Sequence, residues 1–212
     1  MIEVHGADYS VYVRSVRIAL AEKGLSYSLV PIDIFAPGGP ADNYLEMQPF
    51  GKIPVLKTDD FTLYETDAIL RFLDETHPAP ALQPVDPRER ARMNQILSIL
   101  NAYAYQTLVW EVFVERVVKP SDGSAADEVR ILSALGPARR IVTELERLSE
   151  ATPFLLGSRP SLADCHAAPM FHLFQKAEEG QMILKGAPKL SAWLEQFTLR
   201  ESFRTTEPKT PT

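Results

Sequence analysis

One cysteine, Cys165, in 212 residues is too few for an internal disulfide. The fold cannot rest on covalent cross-links, and a reducing cytoplasm is the expected compartment. Positive charge is in deficit: 22 Lys and Arg stand against 28 Asp and Glu, a formal net charge of −6. That balance excludes a general basic field for nucleic acid. No apolar run approaches the roughly 20 residues of a membrane span. The opening "MIEVHGADYS" has no basic stretch followed by an apolar one, so no secretory signal is expected. Metal-ligand spacings, a glycine-rich phosphate loop and a nucleophile elbow are all missing. What remains is an ordinary globular balance, 45% hydrophobic and 24% charged, in a chain long enough for one or two domains with a real core.

The chain changes character part-way. Through about His77, short β-like runs alternate with helical ones. "IEVHG" reads as a strand. Val13, Val16 and Leu20 then recur at helical spacing until Gly24 stops them. "SLVPID" reads as a second strand, parallel to the first through a right-handed crossover. "FAPGGPADN" is a loop, and "PVLKTDDFTLYE" reads as two strands joined by a tight Asp-Asp turn. Ile69, Phe72 and Leu73 mark another amphipathic helix. The proline-rich "HPAPALQPVDP" then reads as a stiff linker, and beyond it the β signal vanishes. A helical pattern runs from Arg88 to Val118, and a second from about Ala125 to Glu150 with a kink expected at Gly136-Pro137. A third starts at Ser161, and a short one surrounds "PKLSAWLEQF". The expected organisation is an α/β domain over residues 1–78, a linker over 79–87, an all-α domain over 88–204 and a disordered tail over 205–212.

Several residues ask for a chemical explanation. Pro54 sits among Ile53, Val55 and Leu56 in "QPFGKIPVL", although a central strand excludes proline. A cis proline in the bend before a strand would hold Ile53 extended, with its N–H and C=O facing outward. Free extended backbone of that kind can pair with a short peptide. Ser10 stands between the first strand and the first helix, where serine is a favoured N-cap. Glu65 and Thr66 stand at a strand–helix junction, where unpaired N–H groups attract a carboxylate. Ser161 and Asp164 have the spacing of a capping box, with Asp in place of Glu.

Taken together, "SVYVRSVRIALAEKG", "QPFGKIPVL", "LYETDAILRFL" and "SLADCHAAPMF" resemble the cytosolic glutathione S-transferases over nearly the whole chain. The resemblance is to bacterial serine-type members of the phi- and theta-like classes. It implies a thioredoxin-like N-terminal domain (βαβ, then ββα), an all-helical C-terminal domain and a cis bond at Pro54. It implies that Ser10 donates a hydrogen bond to the glutathione thiolate, with Tyr9 and Tyr12 as competing hydroxyls. Ile53 and Pro54 would hold the cysteinyl part, Glu65 and Thr66 the γ-glutamyl end, and Lys52 the glycine carboxylate or the peptide backbone. Tyr12 and Tyr105 would line the electrophile pocket. Glutathione enters as co-substrate with no metal, the second substrate is a small hydrophobic electrophile, and neither nucleic acid nor membrane is a partner. One departure stands out: where related classes carry a basic pair, this chain has "PGGPAD". Two alternatives stay open, a glutathione-dependent isomerase, dehalogenase or peroxidase, and a non-catalytic binding protein. A homodimer is expected from the resemblance and from the long helix, whose apolar residues (Ile96, Leu97, Leu100, Tyr103, Leu108, Val109, Trp110, Val112, Phe113) surround more than one face.

Overall fold

The structure is a computed structural model that describes residues 1–150 and 153–209. The chain divides into two compact units, residues 1–82 with 201–212, and residues 83–200.

The first unit is built on a four-stranded sheet in the order β2-β1-β3-β4. Its strands are β1 (Glu3–His5), β2 (Ser28–Val30), β3 (Val55–Lys57) and β4 (Thr62–Tyr64). β1 and β2 are parallel, as the crossover requires, while β3 and β4 run antiparallel to their neighbours. This is the thioredoxin-like arrangement implied by the resemblance. The hairpin between β3 and β4 closes with the Phe61 carbonyl accepting from Thr58 N–H at 2.8 Å. Strand β2 ends at Val30, so the "PID" portion of the expected strand is not part of the sheet.

Helix α1 (Val11–Glu22) connects β1 to β2. Val13, Val16, Ile18 and Leu20 are all buried. Gly24 ends it in the left-handed region, φ 65°. Gly24 N–H donates to the Ala21 carbonyl at 3.0 Å and Leu25 N–H to the Leu20 carbonyl at 2.9 Å. That bond pair is a Schellman terminus, in which glycine avoids the Cβ penalty. A short helix, α2 (Asp42–Leu45), begins inside the segment expected to be loop. Helix α3 (Thr66–Thr76) buries Ile69, Leu70 and Leu73. The far ends of α1 and α3 are joined by a buried ion pair. Lys23 Nζ lies 2.7 Å from Asp74 Oδ1 and 2.8 Å from the Pro80 carbonyl, and Leu82 N–H donates to the same carboxylate oxygen. Burying two charges is costly unless their remaining valences are filled, which these extra bonds do.

The elements of the second unit are all helices among the described residues, apart from an isolated bridge between Phe154 and Gly157. Helix α4 (Pro87–Ile99) starts under an Asp86 cap that accepts from Arg88 and Glu89 N–H. It continues without a break into a π-helical stretch over Leu100–Val118 and a last turn, α5 (Lys119–Ser121). The expected single helix is therefore continuous but changes its hydrogen bonding: Lys119 N–H reaches back five residues to the Val114 carbonyl. Helix α6 (Glu128–Leu148) carries Pro137 in its interior and runs on as one element. Helices α7 (Leu162–Phe174), α8 (Glu178–Leu184) and α9 (Pro188–Thr198) complete the unit. The Ser161–Asp164 capping box is formed. Asp164, fully buried, accepts from Leu155 N–H, Ser161 N–H, the Ser161 hydroxyl and the Trp193 indole at 2.6–2.8 Å. Burial pushes its carboxyl up, against the opposing pull of those four donors.

Of the nine apolar residues on the long helix, Ile96, Leu97, Leu100, Leu108, Val109, Val112 and Phe113 are buried within the chain, and only Tyr103 is largely exposed. The apolar surplus offered as a reason for a dimer is thus absorbed inside one protomer.

The final helix, α10 (Glu201–Thr205), belongs with the first unit. Arg14 on α1 donates to the Phe203 carbonyl at 3.1 Å and lies over the Phe203 ring. Burial pulls the Arg14 guanidinium down to about 10, with Glu207 opposing and Arg17 adding to the fall. Thr206 is buried and Lys209 N–H donates to Asp8. Residues 205–209, read from sequence as a disordered tail, lie against the first unit, and 210–212 fall outside the described residues.

Candidate functional site

Two of the candidate residues, Pro54 and Glu65, are brought to one end of the sheet by register. His5 pairs with Val55, and Val55 pairs with Tyr64. The next residues along these strands are therefore neighbours: Gly6 leaving β1, Pro54 entering β3 and Glu65 leaving β4. Gly6 packs so closely there that a Cβ added to it would stand 2.4 Å from Val13 Cγ2 and 3.3 Å from Ile53 Cβ. The glycine thereby brings the first turn of α1 against Ile53.

Ser10 caps α1 in extended conformation, φ −69° and ψ 128°. Its half-buried Oγ accepts from Val13 N–H at 3.4 Å, longer than a good hydrogen bond. The hydroxyl proton donates to nothing among the described residues. Tyr9 and Tyr12 flank it, both half-buried.

The Ile53–Pro54 bond is cis, as expected. Ile53 is buried but outside the ladder, and among the described residues neither its N–H nor its C=O bonds to the backbone. The loop before it is tied down. Buried Gln48 accepts through Oε1 from Phe50 N–H at 2.7 Å and Lys52 N–H at 3.1 Å, and buried Tyr44 donates to the Lys52 carbonyl at 2.5 Å. Burial pushes the Tyr44 hydroxyl far above its ordinary value, so it stays a neutral donor. The Lys52 side chain is exposed and in no ion pair among the described residues.

Glu65 has φ 72° and ψ 113°, among the described residues the one non-glycine with positive φ. Such strain persists only where surrounding structure enforces it. Its side chain makes no cap bond to α3. Thr66, buried, opens the helix, whose first N–H groups receive no bond from the N-cap side chain.

Tyr105 lies in the second unit, against Trp110 in an edge-on ring contact at 6.5 Å. Burial pushes its hydroxyl up, and a hydrogen bond from Trp110 works against that rise. His166 is bonded to Asn101 at 2.9 Å and Cys165 is buried, so this adjacent pair belongs to the core of α7. Among the described residues no group of His, Cys, Asp and Glu is arranged to hold a metal, and no helix is long and apolar enough to cross a membrane.

Sequence reasoning missed Gly6, Tyr44 and Gln48. A glycine directly after a strand is a faint signal of close approach. Tyr44 and Gln48 carry none, since their partners become visible only when the loop folds over them.

Comparison with known proteins agrees with this geometry. Residues 4–81 match the family described as "Glutathione S-transferase, N-terminal domain", and residues 88–196 match "Glutathione S-transferase, C-terminal domain". Glutathione S-transferase F13 of Arabidopsis thaliana is 29% identical over 210 residues, covering 98% of this chain and 95% of that protein. Maleylacetoacetate isomerase of Mus musculus is 30% identical over 196 residues, covering 92% and 86%. A glutathione S-transferase from Rhodospirillum rubrum superposes with a TM-score of 0.82 at 26% identity, covering 100% of this chain and 94% of that one. One from Methylobacterium radiotolerans, solved in complex with glutathione sulfonate, gives 0.78 at 25%, covering 100% and 96%. With a sheet of this order, an unused Ile53 backbone beside the α1 entrance, and family matches across both halves, the chain belongs to the glutathione S-transferase family.

Proposed function

We propose that this protein is a glutathione transferase that binds glutathione at the Gly6, Pro54 and Glu65 end of its sheet and presents the thiol, as thiolate, to a small hydrophobic electrophile. The observation that carries the reading is the Ile53 backbone, held outside the ladder with its N–H and C=O unused beside the Ser10 helix entrance. A free thiol has a pKa of about 8.5. Ser10 donates its hydroxyl hydrogen to the sulfur, and the positive end of α1 adds to the stabilisation of the anion. The uncapped N–H groups at Thr66 receive the γ-glutamyl carboxylate, and Lys52 pairs with the glycine carboxylate in place of the basic pair that "PGGPAD" lacks. The relative solved with glutathione sulfonate supports this ligand class.

A second reading uses the same thiolate for isomerisation, and the similarity to a maleylacetoacetate isomerase favours it over dehalogenase or peroxidase chemistry. Tyr12 and Tyr105 are assigned to the electrophile side, a cytoplasmic location suits the lone cysteine, and the family supports a homodimer. The deciding experiment is turnover with glutathione against a panel of aryl halides, epoxides, enals and cis-configured diacids. Conjugate formation supports the transferase, and cis–trans conversion without conjugate supports the isomerase. Retention on immobilised glutathione with no turnover of any of them would overturn both in favour of a binding protein.

A further inference from the structure

Catching the cysteinyl part of glutathione by backbone demands that one peptide segment stay extended without help from the sheet. The residue immediately before that segment is gripped from both sides. The Lys52 N–H donates to Gln48 Oε1 at 3.1 Å, and the Lys52 carbonyl accepts from Tyr44 Oη at 2.5 Å. Gln48 Oε1 also receives Phe50 N–H at 2.7 Å, so a single carboxamide oxygen closes the Pro49-Phe50-Gly51 turn. Both residues are only 2% exposed. Gly51 supplies the left-handed residue of the turn, φ 62°, where a side chain would be strained. Every hydrogen bond of the clamp thus ends at Lys52 or before it, and the next two backbone groups, on Ile53, are left for a ligand.

We propose that Tyr44 and Gln48 are positioning residues for glutathione, holding the Lys52 peptide so that the Ile53 N–H and C=O are pre-set for the cysteinyl backbone. The inference rests on the glutathione reading above and deepens it. Neither residue touches the thiol. Their effect falls on binding, because a loop ordered before the ligand arrives does not lose its freedom on binding. Position 44 is suited to this: a buried phenol donates a hydrogen bond but resists ionisation, so the grip does not change across the physiological pH range.

The test uses the full chain with Tyr44→Phe, which deletes one oxygen, and Gln48→Met, which keeps the volume and deletes the acceptor. Glutathione affinity is measured by calorimetry, with kcat and KM for a competent electrophile and the melting temperature alongside. Each variant should weaken glutathione binding roughly 3- to 10-fold, the worth of one to two ordinary hydrogen bonds. KM for glutathione should rise in step, kcat should move by less than about 2-fold, and KM for the electrophile should stay put. Amide exchange at Gly51–Ile53 should quicken in both variants. Unchanged affinity in folded variants overturns the proposal, and so does a kcat loss with KM constant. Failure of the wild-type protein to bind glutathione would instead remove the functional reading, and with it the role given to the clamp.

Discussion

Replacing Ser10 separates the capping job its hydroxyl performs from the thiolate-donor role proposed for it. As an N-cap, its Oγ accepts from Val13 N–H at 3.4 Å, so the cap falls at the weak end of the range and its loss in Ser10→Ala costs about 0.5 kcal/mol. In the proposed role as donor to a thiolate it would make a hydrogen bond to a charged group in a half-buried site, about 1.5–3 kcal/mol. That corresponds to a rate loss of about 10- to 150-fold. Removing the donor raises the pKa of bound glutathione by about one to two units, toward the free thiol value near 8.5. The sign follows from which form is stabilised: Ser10 favours the anion, so its loss moves the pH–rate profile upward. Ser10→Gly is the control, because glycine at an N-cap costs only a few tenths of a kcal/mol. Both variants should lose activity equally, while Ser10→Ala loses only slightly more stability than Ser10→Gly. The assay is kcat/KM against pH with thiolate absorbance followed in parallel. Activity retained in Ser10→Gly but lost in Ser10→Ala would mean that the helix terminus matters and the hydroxyl does not. Full activity in both, with Tyr9→Phe or Tyr12→Phe inactive, would move the role to a tyrosine.

Three further outcomes follow from particular contacts. Gly6→Ala should destabilise the protein by about 1–3 kcal/mol through overpacking against Val13. Adding Val13→Ala should recover part of that loss in urea unfolding; strictly additive effects would show that the two do not meet. Buried Glu115, held by Lys119, Arg130 and Asp127 N–H, has a carboxyl that burial raises, but those hydrogen bonds and charges outweigh burial and set it below its ordinary value. Its contribution is therefore complete above the unfolded value near 4.3 and fades as pH falls through the folded one; Glu115→Gln should cost about 1–3 kcal/mol at pH 7 and progressively less in acid, and a pH-independent difference would refute the assignment. Asp164→Ala should reduce folded yield severely, since it strands the Leu155, Ser161 and Trp193 donors in the core; a cooperative melt at the wild-type temperature would contradict that.

Much of this architecture is local in origin and was readable from the chain. Gly24 after a helical period, the Ser161–Asp164 pair and the turn after Lys57 each act within a few residues, and each element formed where its signal stood. The proline in "QPFGKIPVL" was also legible, because no strand interior accepts one. Helices α2, α8 and α10 were not foreseen: they are short and held by what they pack against. The hydrogen-bond pattern of Leu100–Val118 was beyond reach too, as its apolar residues fit either helical period loosely.

The site divides in the same way. Pro54 and Glu65 could be named from sequence, but their adjacency to each other and to Gly6 depends on the register His5–Val55–Tyr64, which no single segment encodes. Tyr44 and Gln48 acquire a role only when a turn closes over them. Arg14 finds its partner 189 residues away, at Phe203, and Asp74 meets Lys23 across 51. Contacts of that separation are set by global packing and loop closure, so residue type and spacing alone do not announce them. Chain chemistry thus determined which residue types stand at each turn and helix entrance, and tertiary structure decided which of them stand together.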